Sequence, residues 1–141
     1  MAGLSALRKW LSTLDKSELG SGDSVRDEDG MVAENPSIVV ARDIVSSLIS
    51  SGVRHVAYCP GSRDAPFAYA LAAAERARVV NVATFSEERG AGFWAVGAAK
   101  AGVGAAVITT SGTAAAELHP ALEEAYFQGL PIVVVTADRP H

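Results

Sequence analysis

From Asn35 onward the chain alternates between two hydrophobic periods. Ile38, Ala41, Ile44, Val45, Leu48 and Ile49 recur at the spacing of one helix face. Asn35 or Ser37 can cap that helix, Pro36 suits its first turn, and Gly52 is a natural stop. The next run, VRHVAYC, ends at Pro60 and predicts a short buried strand. APFAYALAAAERA then predicts a helix, RVVNVATF a strand, RGAGFWAVGAAKA a helix rich in small residues, and GAAVITT a strand. GTAAAELHPALEEAYFQG predicts a helix that Pro120 kinks or splits in two, and LPIVVVTAD a last strand.

Helix and strand alternate four times, and the strands are uninterrupted apolar runs. Such strands are covered on both faces, so the pattern predicts a three-layer α/β domain: a parallel sheet with helices on both faces. Ligands in such sheets bind outside the carboxyl ends of the strands. The four predicted exits read CPGSRDAP, SEERG, TTSGTAA and TADRPH, and all carry polar or charged residues.

Residues 1–34 break the pattern. Leu4, Leu7, Leu11 and Leu14 fall at helical spacing, and GSGDSVRDEDG reads as a solvated linker. The segment reads as a disordered leader, with a docking helix as the alternative; Met31 could also be an internal start.

A length of 141 residues, 49% of them hydrophobic, suits one domain at residues 35–141. The net charge is −4, and residues 1–34 hold four basic against seven acidic side chains. The body is therefore almost neutral, which gives no electrostatic case for nucleic acid. A single cysteine, Cys59, excludes an intrachain disulfide and fits a cytoplasmic setting. No apolar run is long enough for a membrane span, and the start lacks the basic and apolar regions of a signal peptide. His55, His119 and His141 have no metal-ligand spacing, and Cys59 reads as a small buried residue.

Four clusters carry candidate chemistry. Glu87 and Glu88 sit at a strand exit before small residues; one of them is a candidate acid, and a helix-capping role is the competing reading. In PGSR, Pro60 and Gly61 make a tight turn, and Arg63 offers a planar fork that matches a carboxylate; the competing reading pairs Arg63 with Asp64. TTSGTAA opens a helix whose amides could face an anion, yet it lacks the spacing and lysine of a P-loop. There, Ser111 or Thr113 can simply cap the helix. In ADRP, Asp138 and Arg139 can pair with each other or with neighbours.

PGSR, EERGAGF, TTSGTAAAELHP and TADRP, in this order and spacing, resemble the N-terminal pyrimidine-binding domain of thiamine-diphosphate enzymes. Within these, the pairing of PGSR with ADRP is most similar to the 2-succinyl-5-enolpyruvyl-6-hydroxy-3-cyclohexene-1-carboxylate synthase (MenD) family of menaquinone biosynthesis. That resemblance implies a transferase that decarboxylates 2-oxoglutarate on thiamine diphosphate and adds the succinyl unit to isochorismate. It implies Glu88, before Arg89 and Gly90, as the catalytic acid that activates the cofactor. Thr110, Ser111, Gly112 and Thr113 would line the pyrimidine pocket, and Ser62, Arg63 and Arg139 would bind substrate. Glu87 replaces a more usual aspartate and Glu117 a frequent asparagine, so no role is carried to either.

The resemblance further implies a homodimer or homotetramer, with Trp94 and Phe93 in an interface or core and Gly90, Gly92 and Gly97 permitting close approach of a second subunit. Mg2+ or Mn2+ would be held by a diphosphate-binding domain that, like the central domain, is absent from this chain, so the isolated domain would be inactive. Another thiamine-diphosphate decarboxylase or synthase, a standalone nucleotide- or anion-binding module, and a non-catalytic association domain are the alternatives.

Overall fold

The regular part of the molecule starts where Asn35 caps a helix. Its Oδ1 accepts from the Ser37 amide at 2.9 Å, and Pro36 occupies the first turn. In the computed structural model, which describes residues 12, 24–26 and 32–138, this helix is α1 (Pro36–Ser50). There follow β3 (Val53–Cys59), α2 (Ala65–Arg76), β4 (Asn81–Thr84), α3 (Glu88–Lys100), β5 (Gly104–Thr109), α4 (Thr113–Glu117), α5 (His119–Phe127) and β6 (Ile132–Thr136). Ahead of α1, β1 (Ser24–Arg26) and β2 (Val32–Glu34) pair antiparallel where the composition predicts a solvated linker. The predicted Leu-rich helix at 4–14 lies outside the described residues, Ser12 excepted.

Strands β3 to β6 form a parallel sheet in the order β4-β3-β5-β6. Successive side chains of a strand face opposite sides, so each central strand feeds two cores. Val56 and Tyr58 of β3, with Ala106 and Ile108 of β5, pack against α1 and α2 through Val45, Leu48, Ile49, Phe67 and Leu71. Ala57, Cys59, Ala105 and Val107 face the other way, onto Ala91 and Ala95 of α3 and Leu118. The expected three layers are therefore present, and where α3 meets the sheet the second interface brings alanines together, Ala91 and Ala95 against Ala57 and Ala105.

Three local outcomes refine the sequence reading. The strand predicted from Arg78 begins only at Asn81: Arg78 adopts φ 57°, and Val79 and Val80 are buried in the turn that follows. Pro120 does split its helix, lying in the first turn of α5 after a break at Leu118, which is buried. Gly92 gives close approach within the chain, to α5: a Cβ there would meet Ala121 Cβ at 2.7 Å. Trp94 packs into the core beside Phe85, whereas Phe93 is exposed.

Two of the glycines in α3, Gly92 and Gly97, predict opposite responses. Gly92→Ala should destabilise the protein by about 1–3 kcal/mol through overpacking. Gly97→Ala should be neutral or stabilising by up to about 1 kcal/mol, because a Cβ there meets nothing within 4 Å. Urea unfolding of both variants checks the contrast.

Candidate functional site

The chain leaves β3 toward β4 on one side, and later leaves β5 toward β6 on the other. α2 packs on one face of the sheet, while the α4–α5 junction packs on the other through Leu118. The strand order therefore reverses between β3 and β5, and their connections diverge to open a crevice at the carboxyl ends. Register brings those ends level: Cys59 pairs with Thr109, Thr109 with Thr136, and Tyr58 with Thr84.

Two loops meet in this crevice. After β3 comes the turn Pro60–Asp64, and after β5 the segment Thr110–Gly112. A Cβ on Gly61 would lie 2.7 Å from Thr110 Cβ, so the turn rests against Thr110 with no room for a side chain. Ser62 and Arg63 are exposed. Asp64 is fully buried, and its Oδ1 accepts from the Gly61 amide at 2.7 Å and the Tyr58 hydroxyl at 3.1 Å. These contacts replace the Arg63–Asp64 pair that the sequence allowed. Asp64 also makes no side-chain cap on α2 despite its N-cap position.

The environment of the turn shifts its titrating groups. Burial raises the Asp64 carboxyl, and the bonds from Gly61 and Tyr58 counter this. Burial and the neighbouring Asp64 push the Tyr58 hydroxyl up as well. Cys59 is raised to about 11, first by burial and then by the charges of Glu88, Asp64 and Glu87. The thiol at the end of β3 thus lies within electrostatic reach of the glutamate pair at the end of β4.

That pair is not symmetric. Glu87 is the N-cap of α3: Oε1 accepts from the Arg89 amide at 2.8 Å and Oε2 from the Gly90 amide at 2.7 Å. Both oxygens are committed to free helix amides. Glu88 is the first residue of the helix, half-buried, and its carboxylate has no hydrogen-bond partner among the described residues. The capping reading therefore belongs to Glu87 and leaves Glu88 available. Arg89 donates from Nη2 to Glu117 Oε2 at 2.6 Å, tying the start of α3 to the end of α4. Sequence reasoning gave Glu117 no role, and a partner twenty-eight positions away has no local signal.

The TTSGT segment behaves differently from its predicted capping role. Gly112, at φ 79°, takes the N-cap position of α4, and no side chain caps the helix. Ser111 Oγ and Thr109 Oγ1 are instead buried without a hydrogen-bond partner. A buried hydroxyl in that state costs about 1–3 kcal/mol unless a bound polar group satisfies it. α4 has only five residues, too few to make a strong anion site from its amides alone. Thr110 is half-buried, and Gly112 and Thr113 are exposed. Asp138 is the last described residue, so Arg139 lies outside them. The His55 ring lies tilted against Trp94, centroids 5.9 Å apart, and His119 lies 3.9 Å from Glu123 on the exposed face of α5.

Residues 38–141 match the family described as "Thiamine pyrophosphate enzyme, N-terminal TPP binding domain". The chain is also similar to curated proteins named 2-succinyl-5-enolpyruvyl-6-hydroxy-3-cyclohexene-1-carboxylate synthase. The one from Kineococcus radiotolerans is 50% identical over 107 residues, covering 76% of this chain and 19% of that protein. Those from Mycobacterium avium and Paenarthrobacter aurescens are 48% and 51% identical, covering 76% and 74% of this chain. The chain spans about a fifth of the length of these relatives, 18% to 20%.

Two measurements check this geometry. Glu87→Ala should cost about 1 kcal/mol of stability through loss of the cap, and Glu88→Ala clearly less, in urea unfolding. Cys59, buried and raised to about 11, should resist alkylation at neutral pH in the native protein and react on unfolding.

Proposed function

The chain belongs to the family of N-terminal TPP binding domains of thiamine pyrophosphate enzymes, and from that premise we propose that it is the pyrimidine-binding part of a 2-succinyl-5-enolpyruvyl-6-hydroxy-3-cyclohexene-1-carboxylate synthase. The identity of about half the aligned residues to the synthases of Kineococcus and Paenarthrobacter supports that reading. The observation that carries the assignment of roles is the division between Glu87 and Glu88. One acid is consumed by the helix cap, and the other is half-buried with no hydrogen-bond partner among the described residues.

The residues present suit thiamine diphosphate. Glu88 offers a carboxyl to a ring nitrogen, and the buried Ser111 Oγ offers a polar group without a protein partner. Thr110, Gly112 and Thr113 complete the wall beside them. When bound, the cofactor would supply a nucleophilic carbon centre and a sink for the charge of decarboxylation. Glu88 would share a proton between its carboxyl oxygen and the aminopyrimidine ring. Ser62, Arg63 and Arg139 bind the carboxylates of 2-oxoglutarate and isochorismate, for which an arginine fork is the matching donor. Mg2+ or Mn2+ is held with the cofactor's diphosphate by residues outside this chain. The working enzyme is a cytoplasmic homodimer or homotetramer in menaquinone biosynthesis.

In the full-length enzyme, Glu88→Gln should lower kcat by about 10²–10⁴-fold while the fold is retained. Glu87→Gln keeps an acceptor oxygen at the cap and should stay within about tenfold of wild type. Turnover of 2-oxoglutarate with isochorismate, against pyruvate as control, is the measurement. Near-normal turnover of Glu88→Gln, or equal losses at both positions, would defeat the assignment.

A further inference from the structure

Asp64 follows the Ser62–Arg63 pair directly, yet it is the fully buried acid of the domain's described part. Its two oxygens are used unequally. Oδ1 accepts from the Gly61 amide and from the Tyr58 hydroxyl, at 2.7 and 3.1 Å, while Oδ2 is buried with no hydrogen-bond partner. The same hydroxyl also approaches the Asp64 backbone oxygen at 3.4 Å.

We propose that Asp64 is a positioning residue for the substrate-binding turn. Through Oδ1 it ties the turn's Gly61 amide back to Tyr58 at the end of β3. Gly61 in turn rests on Thr110, so one buried group sets the turn that presents Ser62 and Arg63 against the second loop of the crevice. The role rests on the synthase reading above only in naming what the turn binds.

Asparagine keeps an acceptor oxygen at Oδ1 for the Gly61 amide and the Tyr58 hydroxyl; alanine removes the latch. In the full-length enzyme, Asp64→Ala should raise KM for the anionic substrates by about tenfold with kcat little changed, and Asp64→Asn should restore KM to within about twofold of wild type. Hydrogen exchange at the Gly61 amide should be slow in wild type and Asp64→Asn and fast in Asp64→Ala. Unchanged exchange in Asp64→Ala, or an Asp64→Asn variant as impaired as Asp64→Ala, overturns the proposal. The exchange does not depend on turnover: a wild-type enzyme inert on both substrates would sink the synthase reading, and the exchange would still decide the latch.

Discussion

The reversal of strand order between β3 and β5 is the constraint from which the site follows. Both strands are covered on both faces, so their side chains are spent on packing. Chemistry is left to the segments that leave them. Because those segments depart to opposite faces, nothing from the sheet fills the gap between their first residues. The contact of Gly61 with Thr110 closes the floor of that gap, and the level register of Cys59 and Thr109 keeps both loops at one height.

Three carboxyl groups stand around this crevice in three different states of engagement. Glu87 is bound by two amides at a helix start, Glu88 has no partner among the described residues, and Asp64 is sealed beneath the turn. Side-chain type does not distinguish them; the backbone around each one does. A helix that began one residue later would free Glu87 and commit Glu88 to the cap. The Arg89–Glu117 pair helps to fix that start, although both side chains are substantially exposed and such a bond contributes modestly to stability.

Periodicity made most of the fold legible, because burial on a helix face or a two-sided strand leaves a regular trace in the sequence. It erred at Val79 and Val80, where apolar residues are buried in a turn, since apolarity reports burial rather than backbone conformation. Pro120 marked a helix break correctly because its effect is local. Ser111 and Thr113 were misleading for the converse reason: capping depends on a dihedral, and Gly112 takes the N-cap at a positive φ. The strand exits were legible as the place where polar loops gather, and the resemblance separated Glu88 from Glu87, of which the structure commits only Glu87 to the helix cap. Asp64 and Glu117 were not legible, because their roles depend on a chain that turns back on itself and on a pairing between distant helices. Gly92 read as a place for a second subunit, and its close neighbour is α5 of the same chain.

The alanine-lined interface between the sheet and α3 carries an evolutionary consequence. Ala57, Ala91, Ala95 and Ala105 leave little to trim and no room to expand, so these four positions tolerate few substitutions. The opposite face, with its Leu, Ile and Phe side chains, can exchange volume between neighbours and drift. Volume can therefore be exchanged on one side of the sheet more freely than at the alanine contacts on the other. The helix seated on those contacts begins at Glu88, so repacking of the opposite core leaves the place of that residue undisturbed.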